Sequence, residues 1–158
     1  MSGTATVCQG QNGVAYSVPS IANATSYTWN LPAGATLISG TGTNNITVDY
    51  STSAASGNIT VNGVNSCGNG TASANFPVTV NLLPGATASI TGPSTVCAGQ
   101  TGVIFSCPSV ANATGYSWTL PSGASITSGT NTNSITVSFS AAATGGTVDV
   151  EGTNSCGN

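Results

Sequence analysis

The sequence contains no lysine, no arginine and no histidine, and its three acidic side chains give a net charge of −3 over 158 residues. A chain without cations has no means of neutralising nucleic-acid phosphates or of binding an anionic membrane surface. Without histidine or lysine it has no ordinary base to activate a serine or cysteine nucleophile. These absences exclude nucleic-acid partners and argue against an enzyme.

Long apolar runs are also missing. No stretch approaches the roughly 18 apolar residues of a membrane span, so no membrane insertion is predicted. The first residues, Met1-Ser-Gly-Thr, have neither the basic nor the apolar region of a secretion signal. The compartment must therefore be argued from the cysteines.

What the chain has in abundance is threonine, serine, glycine and asparagine, with valine as its commonest large apolar residue. β-branched residues fit the pleated, half-buried surface of a sheet, whereas the strong helix formers are nearly absent. The composition predicts an all-β protein.

The chain repeats itself. Residues 7–69 align without a gap on residues 96–158, at a constant offset of 89, and 37 of the 63 aligned pairs are identical. A unit of this length suits a small β-sandwich and is too long for a solenoid repeat. We predict two tandem domains, 1–83 and 84–158.

Each repeat contains short segments of alternating apolar and polar residues, separated by turns rich in glycine, asparagine and proline. The alternation predicts about seven strands per domain, arranged as a two-sheet immunoglobulin-like sandwich. The last strand of the first repeat carries its apolar side chains on one face, at Phe76, Val78, Val80 and Leu82. Pro77 lies within it and indicates a sheet edge or a bulge, because proline cannot donate to a ladder.

The second repeat stops at Asn158, before the position of this last strand. We expect the second domain to lack that strand and to expose an apolar stripe. The strand would come either from following sequence in a longer array or from a neighbouring chain by strand addition.

Trp29 and Trp118 occupy the same position of the repeat. Each shares its strand face with a tyrosine two residues earlier, Tyr27 or Tyr116. Such alternation favours core aromatics of a sandwich. The alternative is an exposed platform on which a sugar ring stacks.

The motifs VCxGQxGV, ANATxYxWxLPxGA and NSCGN occur in both repeats, and ITVDY in the first corresponds to ITVSF in the second. With them the chain resembles the PKD-like, immunoglobulin-like repeats of Bacteroidota, which occur in tandem in very long secreted or surface adhesins, including gliding-adhesin-like proteins. The resemblance covers essentially the whole chain. It implies export, a β-sandwich and a spacer or adhesive role, and it carries no catalytic residues.

Two cysteines recur in each repeat, 59 residues apart. This spacing predicts one disulfide in each domain, Cys8–Cys67 and Cys97–Cys156. Closing such a loop would stabilise a domain by roughly 4 kcal/mol. Paired cysteines indicate an oxidising, extracellular compartment. Zinc is not expected, because the chain has no histidine and no CxxC.

Cys107 is the fifth cysteine, and it aligns with Val18. We predict a free, buried thiol that fills a valine position, with an intermolecular disulfide or a reactive thiol as the alternative.

Asp149 and Glu151 are two apart on a predicted strand and share a face, but their counterparts in the first repeat are Thr60 and Asn62. A property confined to one copy is not a property of the repeat. We expect these carboxylates to be solvated, with no metal and no cofactor.

The sequence thus predicts a structural and adhesive repeat of a long extracellular bacterial surface protein or filament, with neighbouring repeats as its partners. A net charge near zero favours self-association, which a fibre can use. The first alternative is a carbohydrate-binding module that recognises a surface glycan. An ice-binding repeat is a weaker alternative, because the Thr-x-Thr pairs are scattered.

Overall fold

The computed structural model describes residues 1–87 and 89–158, which form two compact units, Met1–Leu82 and Leu83–Asn158. The described residues form strands and turns and contain no helix. Accordingly, no helix long and apolar enough to cross a membrane is found in this part of the chain. The predicted all-β fold, with two tandem sandwich domains, is confirmed.

The first unit has nine strands in two sheets. They are β1 (Ser2–Gly3), β2 (Thr6–Cys8), β3 (Val14–Ser17), β4 (Ser26–Asn30), β5 (Ala35–Ser39), β6 (Asn45–Tyr50), β7 (Gly57–Asn65), β8 (Gly68–Asn69) and β9 (Phe76–Asn81). One sheet has the order β1-β3-β6-β5, and the other has the order β2-β9-β7-β4 with β8 beside β7. All pairs are antiparallel except β2 and β9, which run parallel.

The second unit has five named strands. They are β10 (Val103–Ser106), β11 (Gly115–Thr119), β12 (Ala124–Ser128), β13 (Ser134–Phe139) and β14 (Asp149–Thr153). One sheet has the order β10-β13-β12, and the other consists of β11 and β14. Within the described residues no strand follows β14.

The core of each unit lies between its two sheets and is built from alternate residues of the strands. On β6 the buried residues are Ile46, Val48 and Tyr50, and between them Thr47 and Asp49 are half-buried on the other face. Burying one face of β6 fixes its register, because a shift by one residue would turn the apolar side chains to solvent.

A glycine closes the β5–β6 hairpin and its counterpart in the second unit. Gly40 and Gly129 have φ of 83° and 80°. A Cβ atom at either position would collide with the carbonyl oxygen of the opposite strand, at Asn45 or Ser134. Both the backbone angle and the close approach therefore require glycine.

Pro77 lies in a strand that is internal to its sheet. The first half of β9 pairs with β7, and Pro77 is opposite Asn58. The second half, Thr79–Asn81, pairs with β2. Proline thus occupies the half of β9 that has a partner on one side only, where a missing N–H leaves no ladder bond unmade.

Candidate functional site: a strand groove in the second unit

In the first unit, β9 completes the sandwich. Its alternate residues Val78 and Val80 are 2 % and 6 % exposed. Phe76 lies edge-on to the ring of Tyr16, with 5.9 Å between the ring centroids. The strand is also anchored through its backbone, because the Thr79 N–H donates to the Ala5 carbonyl and the Val80 N–H donates to the Ser56 hydroxyl.

In the second unit a groove of about 420 Å³ is lined in part by counterparts of residues that share the first unit's core with Val78 and Val80 of β9. Four apolar side chains of its lining are Val96, Phe105, Phe139 and Val148. Their counterparts at offset 89 are Val7, Tyr16, Tyr50 and Ile59, and each of these is at most 1 % exposed. In the second unit Phe105 and Phe139 remain buried, at 6 % and 5 % exposed, while Val96 and Val148 are half-buried. By the offset of 89, the groove lies at the position that β9 occupies in the first unit.

The backbone segments that border the groove also differ from their counterparts in the first unit, because they are not paired as strands. Thr6–Cys8 is a strand whose partner is β9, while the identical tripeptide at 95–97 belongs to no strand of the second unit. Strand β7 begins at Gly57 and uses Gly57–Ile59 to pair with β9. The matching strand β14 begins only at Asp149. Both walls of the groove thus form ladder pairs along these segments only in the unit that contains β9.

The floor of the groove is apolar because two tyrosines of the first repeat are phenylalanines in the second. In the first unit, the Tyr16 hydroxyl donates to the Thr4 carbonyl at 2.9 Å, and the Tyr16 and Tyr50 hydroxyl oxygens are 2.8 Å apart. Since Tyr16 has one proton to give, Tyr50 donates to Tyr16. Phe105 and Phe139 replace this pair, so the groove presents rings without polar groups.

Burial acts on the ionisation of the tyrosine pair in the first unit. Removal from water raises the pKa of Tyr16 above its usual value of about 10, although its hydrogen bond with Tyr50 opposes the shift. The pKa of Tyr50 rises further, first through burial and then through its interaction with Tyr16. Both side chains are neutral at physiological pH and act as framework.

The two tryptophans pack against the cores of their units. Trp29 contacts the first core and Trp118 the second. Their indole N–H groups donate to backbone carbonyls, of Thr43 at 2.9 Å and of Thr132 at 2.8 Å. Both indole rings are half-buried, with one side packed on the core and the N–H group fixed by a backbone carbonyl.

The neighbouring tyrosines are also part of the framework. The Tyr27 hydroxyl accepts a hydrogen bond from the Ile21 N–H, and the Tyr116 hydroxyl accepts one from the Val110 N–H. Each tyrosine thereby ties its strand to the loop that precedes it.

The cysteines do not follow the predicted pairing. Cys67 and Cys97 are exposed free thiols, whereas Cys8 and Cys156 are disulfide-bonded. The expected bridges Cys8–Cys67 and Cys97–Cys156 are therefore absent from the structure.

The reason is that the two cysteines of a repeat lie at opposite ends of the sandwich. Cys8 is in register with Asn81, the last residue of β9. Gly57, the first residue of β7, pairs with Val78 of the same strand, so Cys8 lies near the start of β7. Cys67 follows the far end of β7, at Asn65. Eight residue steps of strand separate Gly57 from Asn65, or roughly 27 Å, and a disulfide requires Cα atoms within about 7 Å.

Cys107 is a buried free thiol, 5 % exposed, at the position of Val18. Burial raises the pKa of its thiol, which keeps it protonated and unreactive. Val18 and Cys107 have the same hydrogen-bond partner in their repeats. The Asn44 side chain donates to the Val18 carbonyl, and the Asn133 side chain donates to the Cys107 carbonyl.

The carboxylates are dispersed. Asp49 accepts a hydrogen bond from the Gly13 N–H at 2.7 Å, Asp149 from the Thr147 hydroxyl, and Glu151 from the side-chain amide of Asn158. Among the described residues, no three acidic or cysteine side chains come together as a metal site would require. Asp149 and Glu151 are exposed on β14.

The comparison with known proteins settles the family. A family model for the PKD-like domain matches residues 1–78 and again residues 83–158. The chain belongs to the PKD-like domain family. The predicted tandem PKD-like repeats are thus confirmed, whereas their assignment to Bacteroidota adhesins stays a prediction. Neither a curated protein nor a solved structure matches the chain.

PKD-like domains are commonly structural or adhesive modules of extracellular proteins, and their immunoglobulin-like sandwich is a non-catalytic module type. The disulfide-bonded cysteines of this chain agree with such a compartment. The family match and the disulfide-bonded cysteines therefore both agree with an extracellular module.

Proposed function

We propose that this chain is a structural and adhesive repeat module of a long extracellular bacterial surface protein or filament, in which each sandwich is closed by a β9-type strand. The observation that carries the proposal is the groove of the second unit, whose lining includes the apolar side chains of Val96, Phe105, Phe139 and Val148. It lies where β9 lies in the first, and it is lined in part by counterparts of residues that share the first unit's core with β9.

The surface chemistry supports a mechanical role. With no cation in its side chains and three scattered carboxylates, the protein makes almost no contacts that salt would weaken. A chain of this kind holds its neighbours through backbone pairing and apolar burial. Both kinds of interaction are available along the groove.

The occupant that fits the groove is a strand with the pattern of Phe76, Val78 and Val80. Burying three side chains of this size contributes roughly 5–9 kcal/mol before the cost of ordering the strand. The rim supplies backbone donors and acceptors for a parallel partner at 95–97 and for an antiparallel one at 146–148, as Thr6–Cys8 and Gly57–Ile59 do in the first unit.

A synthetic peptide with the sequence of residues 72–83 tests the proposal. The peptide should raise the melting temperature of the second unit, followed by Trp118 fluorescence in a Trp29→Phe variant so that one indole reports. A matched peptide with asparagine in place of Val78 and Val80 keeps the length and charge and should have no effect. If neither peptide changes the melting temperature of the second unit, strand closure is refuted.

A further inference from the structure

The groove of the second unit is not an exact copy of the space that β9 fills in the first. Three apolar side chains of its lining are smaller than their counterparts at the offset of 89. They are Phe105 for Tyr16, Phe139 for Tyr50 and Val148 for Ile59. Two aromatic hydroxyls and one methylene group of the first repeat are therefore absent from the walls of the groove.

Two of the larger side chains of the first unit are neighbours of Phe76, the first inward residue of β9. Phe76 is opposite Ile59 in the β7–β9 pair, and its ring lies edge-on to that of Tyr16. Side chains directly opposite each other in an antiparallel pair are close enough to interact. In the second groove the corresponding neighbours are Val148 and Phe105, so a phenylalanine at this position would leave volume unfilled, which lowers affinity.

The smaller walls also lack a hydrogen-bond donor. In the first unit the Tyr16 hydroxyl donates to the Thr4 carbonyl at 2.9 Å. The counterpart of Thr4 is Pro93, which lines the groove, and Phe105 has no hydroxyl to donate. A tyrosine on an incoming strand would bring both the volume and a donor, whereas a larger apolar side chain would bring volume alone.

We propose that the groove of the second unit selects a strand that carries tyrosine at the position of Phe76. The aromatic hydroxyl belongs to the wall in the first unit and to the incoming strand in the second. This inference rests on the proposed strand closure and names the partner, an extended segment of the pattern Tyr-x-Val-x-Val. Such a preference lets a groove distinguish its own strand from the similar strands of other repeats.

Another difference between the two units provides a control for strand closure itself. The Val80 N–H donates to the Ser56 hydroxyl at 2.9 Å. The counterpart of Ser56 is Gly145, where an added Cβ atom would meet nothing within 4 Å. Gly145→Ser should therefore restore an acceptor for the incoming backbone. It should raise the affinity for every β9-type peptide by the same factor, about fivefold.

Three peptides with the sequence of residues 72–83 test the preference by calorimetric titration of the full chain. One is native, one carries Phe76→Tyr and one carries Thr79→Tyr. The Phe76→Tyr peptide should bind the second unit about fivefold more tightly than the native peptide, because it fills the groove and adds a hydrogen bond. The Thr79→Tyr peptide places the same side chain on the exposed face of the strand and should bind like the native peptide.

A Phe105→Tyr/Val148→Ile chain gives the second groove the walls of the first. In this chain the native peptide should bind at least as tightly as the Phe76→Tyr peptide. The loss of preference requires the incoming side chain to interact with these two wall residues, and a general affinity of the chain for tyrosine would not produce it. Melting followed by Trp118 fluorescence checks that the variant is folded.

The outcomes separate tyrosine selection from strand closure. If the native and Phe76→Tyr peptides bind the parent chain equally, and both bind the Gly145→Ser chain more tightly, selection is overturned and strand closure stands. A preference that persists in the Phe105→Tyr/Val148→Ile chain also overturns selection. If no peptide binds either the parent or the Gly145→Ser chain, strand closure fails and tyrosine selection fails with it.

Discussion

The two units place the same tripeptide in two environments. Thr-Val-Cys forms strand β2 at residues 6–8 and belongs to no strand at residues 95–97. The local sequence is identical, so local propensity does not account for the difference. What differs is the neighbour, because β9 pairs with the first copy and the described part of the second unit has no such strand.

The same comparison explains where β7 and β14 begin. Gly57–Ile59 is extended against β9 in the first unit, while the corresponding residues 146–148 precede the start of β14. A single strand thus organises the segments on both of its sides. In this repeat β9 is the element on which the closure of one sheet depends.

The largest effect should come from spoiling β9 itself. Val78→Asn buries an amide at a site that is 2 % exposed, and it should destabilise the first unit by about 3–5 kcal/mol. Hydrogen exchange at Thr6–Cys8 should rise towards the rate at 95–97. Thr79→Asn, on the exposed face of the same strand, is the control and should leave both quantities nearly unchanged.

A hairpin substitution should have the next largest effect, and it should be alike in both units. Gly40→Ala and Gly129→Ala force a side chain into positive φ and against the opposite carbonyl, at a cost of about 2–3 kcal/mol each. Calorimetry of each variant measures the loss. Gly145→Ala meets nothing within 4 Å and serves as the control. Equal losses at positions 40 and 145 would contradict the argument.

Replacing Tyr50 with Phe makes the first unit resemble the second. The change removes one buried hydrogen bond but leaves the Tyr16 hydroxyl bonded to the Thr4 carbonyl, so the expected loss is about 1 kcal/mol. Chemical denaturation of the variant and of the parent protein gives the difference between their free energies of unfolding. A loss several times larger would mean that the hydroxyl pair, and not the ring, holds this part of the core.

The tyrosine pair should also make the stability of the first unit depend on pH in a way that the second unit does not share. Because burial raises the folded-state pKa of Tyr16 and Tyr50, the unfolded tyrosines ionise first, at about pH 10. This part of the first unit's stability is complete below pH 10 and is lost as the pH rises further. A Tyr16→Phe/Tyr50→Phe variant, melted between pH 8 and pH 11, should lack the decline. An unchanged decline would place its origin elsewhere.

The smallest effect should come from Cys107→Val, which restores the residue of the first repeat. The side chain is buried and of similar size in both cases, so stability should change by less than about 1 kcal/mol. The variant should also have one free thiol fewer, with its disulfides unaltered. A change in disulfide mapping would show that Cys107 takes part in the redox chemistry after all.

Alternation and repetition are sufficient to predict most of the fold, since the core positions of β6 and β9 follow directly from period-two patterning. They do not predict the parallel pairing of β2 with β9, because a three-residue strand carries little periodicity. The cysteine pairing failed for a related reason. A separation of 59 residues says nothing about which end of a sandwich each cysteine occupies, and the antiparallel course of β7 and β9 decides that.

The groove could be anticipated in part. The repeat alignment places Phe105 and Phe139 at the positions of Tyr16 and Tyr50, so the exchange of tyrosine for phenylalanine in the groove follows from the sequence. Which side chains line it depends on three-dimensional packing, because Val96, Phe105 and Phe139 belong to three separate segments of the repeat.

The most direct test of strand closure is to append residues 70–83 after Asn158 and to measure hydrogen exchange at Thr95–Cys97 together with the melting of the second unit. The account predicts that the tripeptide becomes as protected as Thr6–Cys8 and that the melting temperature rises. An appended segment with asparagine in place of Val78 and Val80 should produce neither change. If the native segment leaves both the exchange and the melting temperature unchanged, β9 does not close this repeat and the central claim is wrong.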